Sequence, residues 1–116
     1  MKADVSFEVF DSLELRVARI ESARPAEGTR APCRELVLDL GPLGRKVSIG
    51  QFALVPEEEL IGRLVVACCN LGRRRIGRYA SEALVLGTLH PGTPDGQSQA
   101  LPLWADPQAR CGDRIF

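Results

Sequence analysis

Along most of the chain, apolar residues alternate with polar ones or form short β-branched runs, whereas the three-to-four-residue spacing of helices is scarce. Alternation is typical of β-strands with one buried face, and a short unbroken apolar run is typical of a strand covered on both faces. We therefore predict an all-β protein with short helices. Its five principal strands are expected over residues 13–23, 35–40, 45–49, 64–69 and 82–89.

The first predicted strand changes the phase of its alternation part-way along. Leu15 and Val17 alternate with charged residues, and the apolar positions then shift by one to Ala18 and Ile20. A shift of one residue turns the following side chains to the other face of a strand. We therefore predict a β-bulge within residues 13–23.

Two short helices are predicted between these strands. Phe7 and Phe10 lie three residues apart behind the possible cap Ser6, which predicts an N-terminal helix. Pro56 and the acidic residues after it are typical of a helix start, because proline fits the first turn and carboxylates complement the helix dipole. The two predicted helices cover residues 6–12 and 56–60.

Glycine, proline and polar residues mark the connections. Residues 24–32 predict a loop between the first two strands, and residues 41–44 predict the turn of a hairpin formed by the second and third strands. Residues 100–104 and 112–116 predict short extended segments that close the fold. Strands of uneven length, a bulged first strand and a helix before the fourth strand favour a five-stranded Greek-key barrel of the OB type. An SH3-like barrel and a small β-sandwich remain open alternatives.

The chain of 116 residues is long enough for one domain, over residues 1–116, and too short for two. Its 45% of hydrophobic and 26% of charged residues exclude a disordered chain, a collagen-like repeat and a coiled coil. No apolar run approaches the roughly 20 residues that span a bilayer, and no secretion signal follows Met1. We expect a cytoplasmic protein without membrane contact.

Few residues suit catalysis or metal binding. The one histidine, His90, lies in a His-Pro-Gly turn, and no nucleophile-elbow, Walker or metalloprotease motif occurs. The cysteines lack a metal-binding spacing and are expected to be reduced thiols packed as small hydrophobic residues. We therefore expect a protein that is not an enzyme and that uses no cofactor and no metal ion. The four cysteines are Cys33, Cys68, Cys69 and Cys111.

Positive charge is concentrated in one segment, although fifteen basic residues balance fifteen acidic ones in the whole chain. Residues 70–79 contain four arginines within six positions, and no acidic residue follows until Glu82. Guanidinium groups bind phosphate oxygens in pairs and stack on bases, and Tyr79 offers an aromatic surface, so this basic loop suits RNA. A solvated loop, or one paired with acids of the same chain, is the alternative. The four arginines are Arg73, Arg74, Arg75 and Arg78.

Several segments resemble a known family. The chain is similar to the tRNA-binding OB domain, which occurs free, dimerised, or fused to methionyl-tRNA and phenylalanyl-tRNA synthetases. That similarity is carried by residues 13–20, 70–71, 74–76 and 81–86. Within the family, the chain resembles the stand-alone CsaA-type proteins, described as export-related chaperones. This second similarity is carried by residues 32–41, 48–52, 103–106 and 112–115.

The resemblance implies a ligand face for RNA or peptide. Asn70 and Gln51 can donate to and accept from a base edge or a peptide backbone, and the arginines supply charge. For Ser81 and Glu82, a turn-capping and salt-bridging pair is the alternative interpretation. Together with the arginines of the basic loop, the predicted site comprises Ser48, Gln51, Asn70, Arg73, Arg74, Arg75, Arg78, Ser81 and Glu82.

The chain departs from the family at three positions. Arg73 stands where the family usually has proline, and Ala18 and Arg78 stand where it usually has glycine. Because glycine permits a positive φ that arginine adopts only at a cost, Arg78 can alter the path of the basic loop.

Three functions are open from the sequence. The first is a non-enzymatic RNA-binding module, with tRNA as the implied partner. The second is a chaperone that receives unfolded or export-destined polypeptide in a partly apolar groove near Ile49, Phe52 and Leu71. The third is an assembly role in which the arginines dock onto an acidic partner.

The resemblance also implies a homodimer. The candidate interface combines the N-terminal helix, with Phe7 and Phe10, and the tail over residues 101–116. Trp104 and Phe116 are large for the ends of a small barrel, and a core position is the alternative for both.

Overall fold

The computed structural model describes residues 1–116, and most of its regular structure is β. The predicted all-β class with short helices is confirmed. The helical segments are α1 (Phe7–Asp11), a 3-10 turn (Gly41–Leu43) and α2 (Glu57–Leu60). The strands are β1 (Leu15–Ala26), β2 (Cys33–Asp39), β3 (Arg45–Gly50), β4 (Leu64–Cys68), β5 (Arg74–Ile76), β6 (Tyr79–Ser81), β7 (Leu84–Val85), β8 (Gly87–Leu89) and β9 (Ala100–Pro102).

Five antiparallel strands form one curled sheet in the order β3–β2–β1–β4–β7. The sheet is a half-barrel, and its edge strand β3 meets the chain at the end of β6. The N–H of Glu82 donates to the carbonyl oxygen of Val47 at 2.7 Å, and the N–H of Ile49 donates to the hydroxyl of Ser81 at 3.0 Å. These bonds join the open side of the sheet, and the predicted five-stranded OB-type architecture is confirmed.

The first strand is long enough to pair with β4 through its first half and with β2 through its second. Its register with β2 shifts between Ile20 and Ser22, which confirms the predicted bulge. This register shift lies on the C-terminal side of the step from Val17 to Ala18, where the alternation of apolar and polar residues changes phase. At that step the C-terminal segment covers the strand, because the N–H of Val17 donates to the carbonyl oxygen of Asp113 at 2.9 Å, and Val17 and Ala18 are both buried.

Thirteen buried apolar residues form the main core inside the curled sheet. β1 and β2 supply Ile20, Leu36 and Leu38, and α2 packs against β1 and contributes Leu60. Burial of such side chains stabilises the fold by about 1.5–3 kcal/mol each. The main core therefore draws on β1, β2, β4 and α2.

Three regions differ from the sequence prediction, and one of them is the predicted loop over residues 24–32, into which β1 continues as far as Ala26. The strand expected over residues 82–89 is divided into β7 and β8, and β8 leaves the main sheet to pair with β9. A Cβ on Gly87 would lie 2.6 Å from the carbonyl oxygen of Leu101, so this close approach requires glycine. The basic loop is not a loop throughout, because β5 and β6 pair as a hairpin within it.

The two ends of the chain behave differently. The C-terminal part closes the fold as predicted, with β9 and with isolated bridges from Trp104 to Val65 and from Arg114 to Arg16. By contrast, α1 buries none of its residues. None of the helices has both the length and the apolar character needed to cross a bilayer.

Candidate functional site

The hairpin of β5 and β6 carries four of the nine residues of the predicted site, and Arg73 and Glu82 flank it. Arg74 lies opposite Ser81 in its register. Gly77 occupies the first position of the turn with a φ of +58°, which suits a two-residue hairpin turn that needs glycine there. A Cβ on Gly77 would lie 3.2 Å from the carbonyl oxygen of Gly28. The hairpin tip therefore rests directly against the loop between β1 and β2.

A second, smaller apolar cluster holds the hairpin in this position. Ala26, Cys33 and Ile49 form the buried part of the cluster, and Ile76 and Tyr79 of the hairpin pack against it. The N–H of Glu27 also donates to the Tyr79 hydroxyl at 3.1 Å. The hairpin is thus fixed by both apolar and polar contacts to strands that are distant in sequence.

The Tyr79 side chain contacts a neighbouring side chain of the protein. The guanidinium carbon of Arg78 lies 5.3 Å from the centroid of the Tyr79 ring, and Nη2 of Arg78 donates to the hydroxyl at 3.3 Å. This hydrogen bond raises the pKa of Arg78. The aromatic surface that the sequence offered to a base is therefore covered on one face by the neighbouring arginine.

The four arginines of the hairpin region are all exposed, but their surroundings differ. Arg73 donates to Oε2 of Glu82 at 3.3 Å and forms the one salt bridge in the group. Arg74, Arg75 and Arg78 have no carboxylate oxygen within 4.0 Å. Three guanidinium groups are therefore available to an external anion.

A groove of about 440 Å³ lies beside the hairpin. Arg74 and Ile76 of β5 line it, whereas Arg75 is absent from its lining. Eight of its thirteen lining residues are hydrophobic, so most of its surface is apolar. The lining residues are Thr29, Arg30, Ala31, Cys33, Ile49, Gly50, Gln51, Phe52, Arg74, Ile76, Leu84, Val85 and Ala100.

The groove brings together part of the predicted site. Gln51 and Arg74 line it, as do Ile49 and Phe52 of the predicted apolar groove, but Leu71 does not. The side-chain amide of Gln51 makes no hydrogen bond within the protein. Ser48, by contrast, is 1% exposed. Ligand roles for these residues stay predictions.

Ser81 and Glu82 use their side chains to join the edges of the half-barrel. The Ser81 hydroxyl accepts from Ile49 N–H and donates to the carbonyl oxygen of Ala83 at 3.2 Å. Oε1 of Glu82 accepts from the N–H of Val47 at 3.0 Å. That hydrogen bond, assisted by the charge of Arg73, lowers the pKa of Glu82. The arrangement matches the capping and salt-bridging interpretation of this pair.

Asn70 holds the chain between α1 and β1. Its Oδ1 accepts from the N–H of Glu14 at 2.7 Å, and its Nδ2 donates to the carbonyl oxygen of Ser12 at 2.7 Å. These two bonds occupy the groups that the sequence assigned to a base edge or a peptide. A ligand contact through Asn70 stays a prediction.

The sequence did not predict the second charged residue of the groove. Arg30 lies in the loop between β1 and β2 and lines the groove with Arg74. Its guanidinium has no salt bridge and no hydrogen bond within the protein. The signal was available, because loops between the first two strands of OB barrels bind ligands, but the residue stands alone rather than in a run of charge.

None of the four cysteines forms a disulfide. All four are free, and burial raises the pKa of Cys33 and of Cys69, which keeps these thiols protonated. No three side chains of histidine, cysteine, aspartate or glutamate come together in a way that would hold a metal ion.

Comparison with solved structures identifies the family. The crystal structure of chaperone CsaA from Bacillus anthracis str. Ames is 32% identical, superimposes with a TM-score of 0.84, and is matched over 98% of this chain and 100% of that one. The chain belongs to the CsaA-type family of OB-fold proteins. Two further structures share the fold with TM-scores of 0.82 and 0.83, a CsaA chaperone protein from Picrophilus torridus at 24% identity and a MetRS-related protein from Pyrococcus horikoshii at 16%.

Curated relatives are much longer proteins. Methionine–tRNA ligase of Thiobacillus denitrificans is 37% identical over 99 residues, which cover 84% of this chain and 14% of the ligase. The corresponding ligase of Methanoculleus marisnigri is 34% identical over 82 residues, which cover 71% of this chain and 12% of the ligase. The chain therefore spans less than a sixth of the ligases that it matches. No family model matches the chain.

The three residues that depart from the usual pattern of the tRNA-binding OB domain family lie in different surroundings. Ala18 is fully buried in the main core, where its methyl group packs. Arg73 gains the salt bridge to Glu82. Arg78 has no positive φ, since all positive values in this chain belong to glycines. Gly77 supplies the positive φ of the turn, so Arg78 bears no cost of that kind, and an altered path of the loop relative to the family stays a prediction.

Proposed function

We propose that this CsaA-type protein binds tRNA through the β5–β6 hairpin and the adjoining groove, and that it acts by binding rather than by catalysis. The observation that carries the proposal is the group of exposed arginines Arg74, Arg75 and Arg78. None has a carboxylate partner, although the whole chain has zero net charge. A neutral protein that leaves three guanidiniums unpaired on one hairpin is suited to a polyanion.

The groove adds a way to contact unstacked bases. Its volume of about 440 Å³ and its apolar lining suit a flat aromatic ring. Single-stranded RNA is typically bound by such combinations of apolar surface and positive charge. Gln51 can pair with the edge of a base placed there, because its amide is not used within the protein.

The curated relatives support the choice of tRNA among RNAs. The two matched ligases act on tRNA by name, and the matched segment covers most of this chain. The matched segment occurs both within long ligases and as a short CsaA-type chain. We therefore infer that this segment binds tRNA and does not carry out the ligase reaction. No cofactor is part of the proposal.

A double variant tests the proposal. Replacing Arg74 and Arg75 by alanine should weaken binding of labelled tRNA at low salt by tenfold or more, because two phosphate contacts are lost. Arg110→Ala is the matched control, since Arg110 is also exposed and unpaired but lies outside the groove. Equal tRNA affinity for the double variant and the control contradicts the proposal.

A second candidate function is favoured by the apolar lining of the groove. Extended polypeptide can place apolar side chains against Ile49, Phe52 and Ile76, and two matched structures are named as chaperones. Suppression of aggregation of a denatured client at high ionic strength tests this function, because salt screens charges and leaves apolar contacts intact. Absence of protection at equimolar protein counts against it.

We also propose that the chain forms a homodimer and works in the cytoplasm. The support for a dimer is the exposure of large apolar side chains near both chain ends, with Phe7 74% and Phe116 90% exposed. The support for the cytoplasm is that four cysteines remain unpaired, which suits a reducing compartment.

A further inference from the structure

We propose that Arg30 is a second phosphate-binding residue of the groove, and that Arg30 and Arg74 together hold the backbone of single-stranded RNA whose base enters the apolar part. The inference rests on the proposed tRNA-binding function. It assigns a phosphate contact to Arg30, which lies in the loop between β1 and β2 and outside the basic loop.

The charge of the groove is the first observation. Arg30 and Arg74 are the two charged residues in its lining, and no carboxylate lines it. Neither guanidinium takes part in any of the four salt bridges of the protein. An anion bound in the groove would therefore meet two positive charges and no lining carboxylate.

The backbone around Arg30 is held in place, which is the second observation. The hydroxyl of Thr29 donates to the carbonyl oxygen of Ala31 at 2.6 Å, and Nε2 of Gln99 donates to the carbonyl oxygen of Pro32 at 2.9 Å. The loop also contacts the hairpin tip at Gly28. Arg30 is therefore presented from a fixed backbone, and binding does not require ordering of the loop.

The shape and lining of the groove favour a nucleotide over an acidic peptide. The groove lies at the small end of the roughly 300–1,000 Å³ range of ligand pockets, and its lining is mostly apolar. A nucleotide combines a flat ring for that lining with a phosphate for guanidinium forks. The free amide of Gln51 adds a partner for a base edge. An acidic peptide supplies carboxylates, but it does not have an aromatic ring next to each charge.

Salt-dependent tRNA binding by single variants tests the inference. Arg30→Ala and Arg74→Ala should each weaken binding several-fold and make the slope of log affinity against log salt shallower by about 0.7, the value for one phosphate contact on a single strand. Arg30→Lys should recover part of the affinity, because it keeps the charge and loses the fork. Arg110→Ala should match the unaltered protein. Melting temperatures should be unchanged, since the Arg30 side chain makes no contact that stabilises the fold.

The outcomes separate this inference from the proposed function. If Arg74→Ala weakens tRNA binding and Arg30→Ala matches Arg110→Ala in affinity and slope, the role of Arg30 is overturned while the proposed function stands. If the unaltered protein does not bind tRNA at low salt, both are overturned. A short oligonucleotide should compete with tRNA for the groove, and equal competition by an oligo-glutamate of the same charge would overturn the nucleotide assignment.

Discussion

At the scale of single residues, the polar side chains near the β5–β6 hairpin divide into two groups. Ser81, Glu82 and Asn70 direct their hydrogen-bonding atoms to backbone groups of the protein. Arg74 and Gln51 have no such partner. The first group determines whether the fold is stable, and the second is available to a ligand. Variants of the two groups should therefore change different measurements.

Ser81 provides the clearest test of this division. Ser81→Ala should lower the free energy of unfolding by about 1–3 kcal/mol, because it leaves the buried N–H of Ile49 without an acceptor. Ser98→Ala, at an exposed position, should change stability little. Urea denaturation measures both. Unchanged stability of Ser81→Ala together with lost tRNA binding would instead make the hydroxyl a ligand contact.

Glu82 should make stability depend on pH. Its pKa is lowered in the folded protein, chiefly by the hydrogen bond from Val47 N–H, so the folded state favours the ionised form. The resulting stabilisation is present above the ordinary glutamate pKa of 4.5 and is lost as pH falls through the lower folded value.

The matched variant is Glu82→Gln, whose amide oxygen keeps an acceptor but carries no charge. At neutral pH it should be less stable than the unaltered protein by about 1.5 kcal/mol. Thermal unfolding at a series of pH values should show the two proteins converging below about pH 4.5. A difference that stays constant down to acid pH would mean that the charge of Glu82 does not stabilise the fold.

At the scale of elements, the β5–β6 hairpin is held by its packing on the second apolar cluster and by the contact of its tip with the loop that carries Arg30. Ile76 and Tyr79 connect the hairpin to Ile49. The two walls of the groove are therefore fixed relative to each other before any ligand binds. A change at the tip should disturb the groove as well as the hairpin.

Gly77→Ala tests this coupling. The new Cβ would lie 3.2 Å from the Gly28 carbonyl oxygen, and alanine would also have to adopt a φ of +58°. The variant should lose about 2 kcal/mol of stability and bind tRNA several-fold more weakly. Gly72→Ala is the control, since its φ is +78° but its Cβ would meet open space, and it should lose about 1 kcal/mol. Equal effects of the two variants would contradict a contact at the tip.

The elements also show what the sequence can predict. The pattern of apolar residues predicted β2, β3 and β4 closely, because β2 and β4 bury apolar residues in the main core and β3 buries Ile49 in the second apolar cluster. It did not identify the hairpin, since Arg74 and Arg75 give no alternating pattern, and pairing there depends on packing against Ile49 far along the chain.

The candidate site, like the strands, could be predicted in part from the sequence. A run of arginines is visible in any sequence, so Arg74, which lines the groove, was among the predicted candidates. Arg30 was not, because a single arginine in a loop acquires meaning only when the fold brings it to the same groove. Conversely, the hydrogen bonds of Ser81 and Asn70 to distant backbone groups leave no mark in the local sequence.

At the scale of the whole molecule, apolar side chains are exposed at both ends of the chain. On α1, the ring centroids of Phe7 and Phe10 lie 6.1 Å apart. None of the residues of α1 is buried in the single chain. Leu103, Trp104 and Phe116 are exposed in the C-terminal part. Exposed apolar groups of this extent are typical of surfaces that bind a partner.

Sedimentation velocity tests whether that partner is a second copy. The unaltered protein should sediment as a dimer at micromolar concentrations, and Phe7→Ser/Phe10→Ser should sediment as a folded monomer, because neither side chain belongs to the buried core of one chain. Leu43→Ser, at an exposed apolar position elsewhere, is the control and should remain dimeric. A strict monomer for the unaltered protein would contradict the proposed dimer.

The proposed function requires that a protein of zero net charge binds a polyanion through guanidiniums that have no carboxylate partner. The most direct measurement is tRNA affinity of the unaltered protein across a series of salt concentrations. If Arg74, Arg75 and Arg78 each contact one phosphate, log affinity should fall linearly with log salt. Each contact on a single strand contributes about 0.7 to the slope, so the slope should be about −2 or steeper. Affinity that does not change with salt, or no tRNA binding at low salt, would contradict the account.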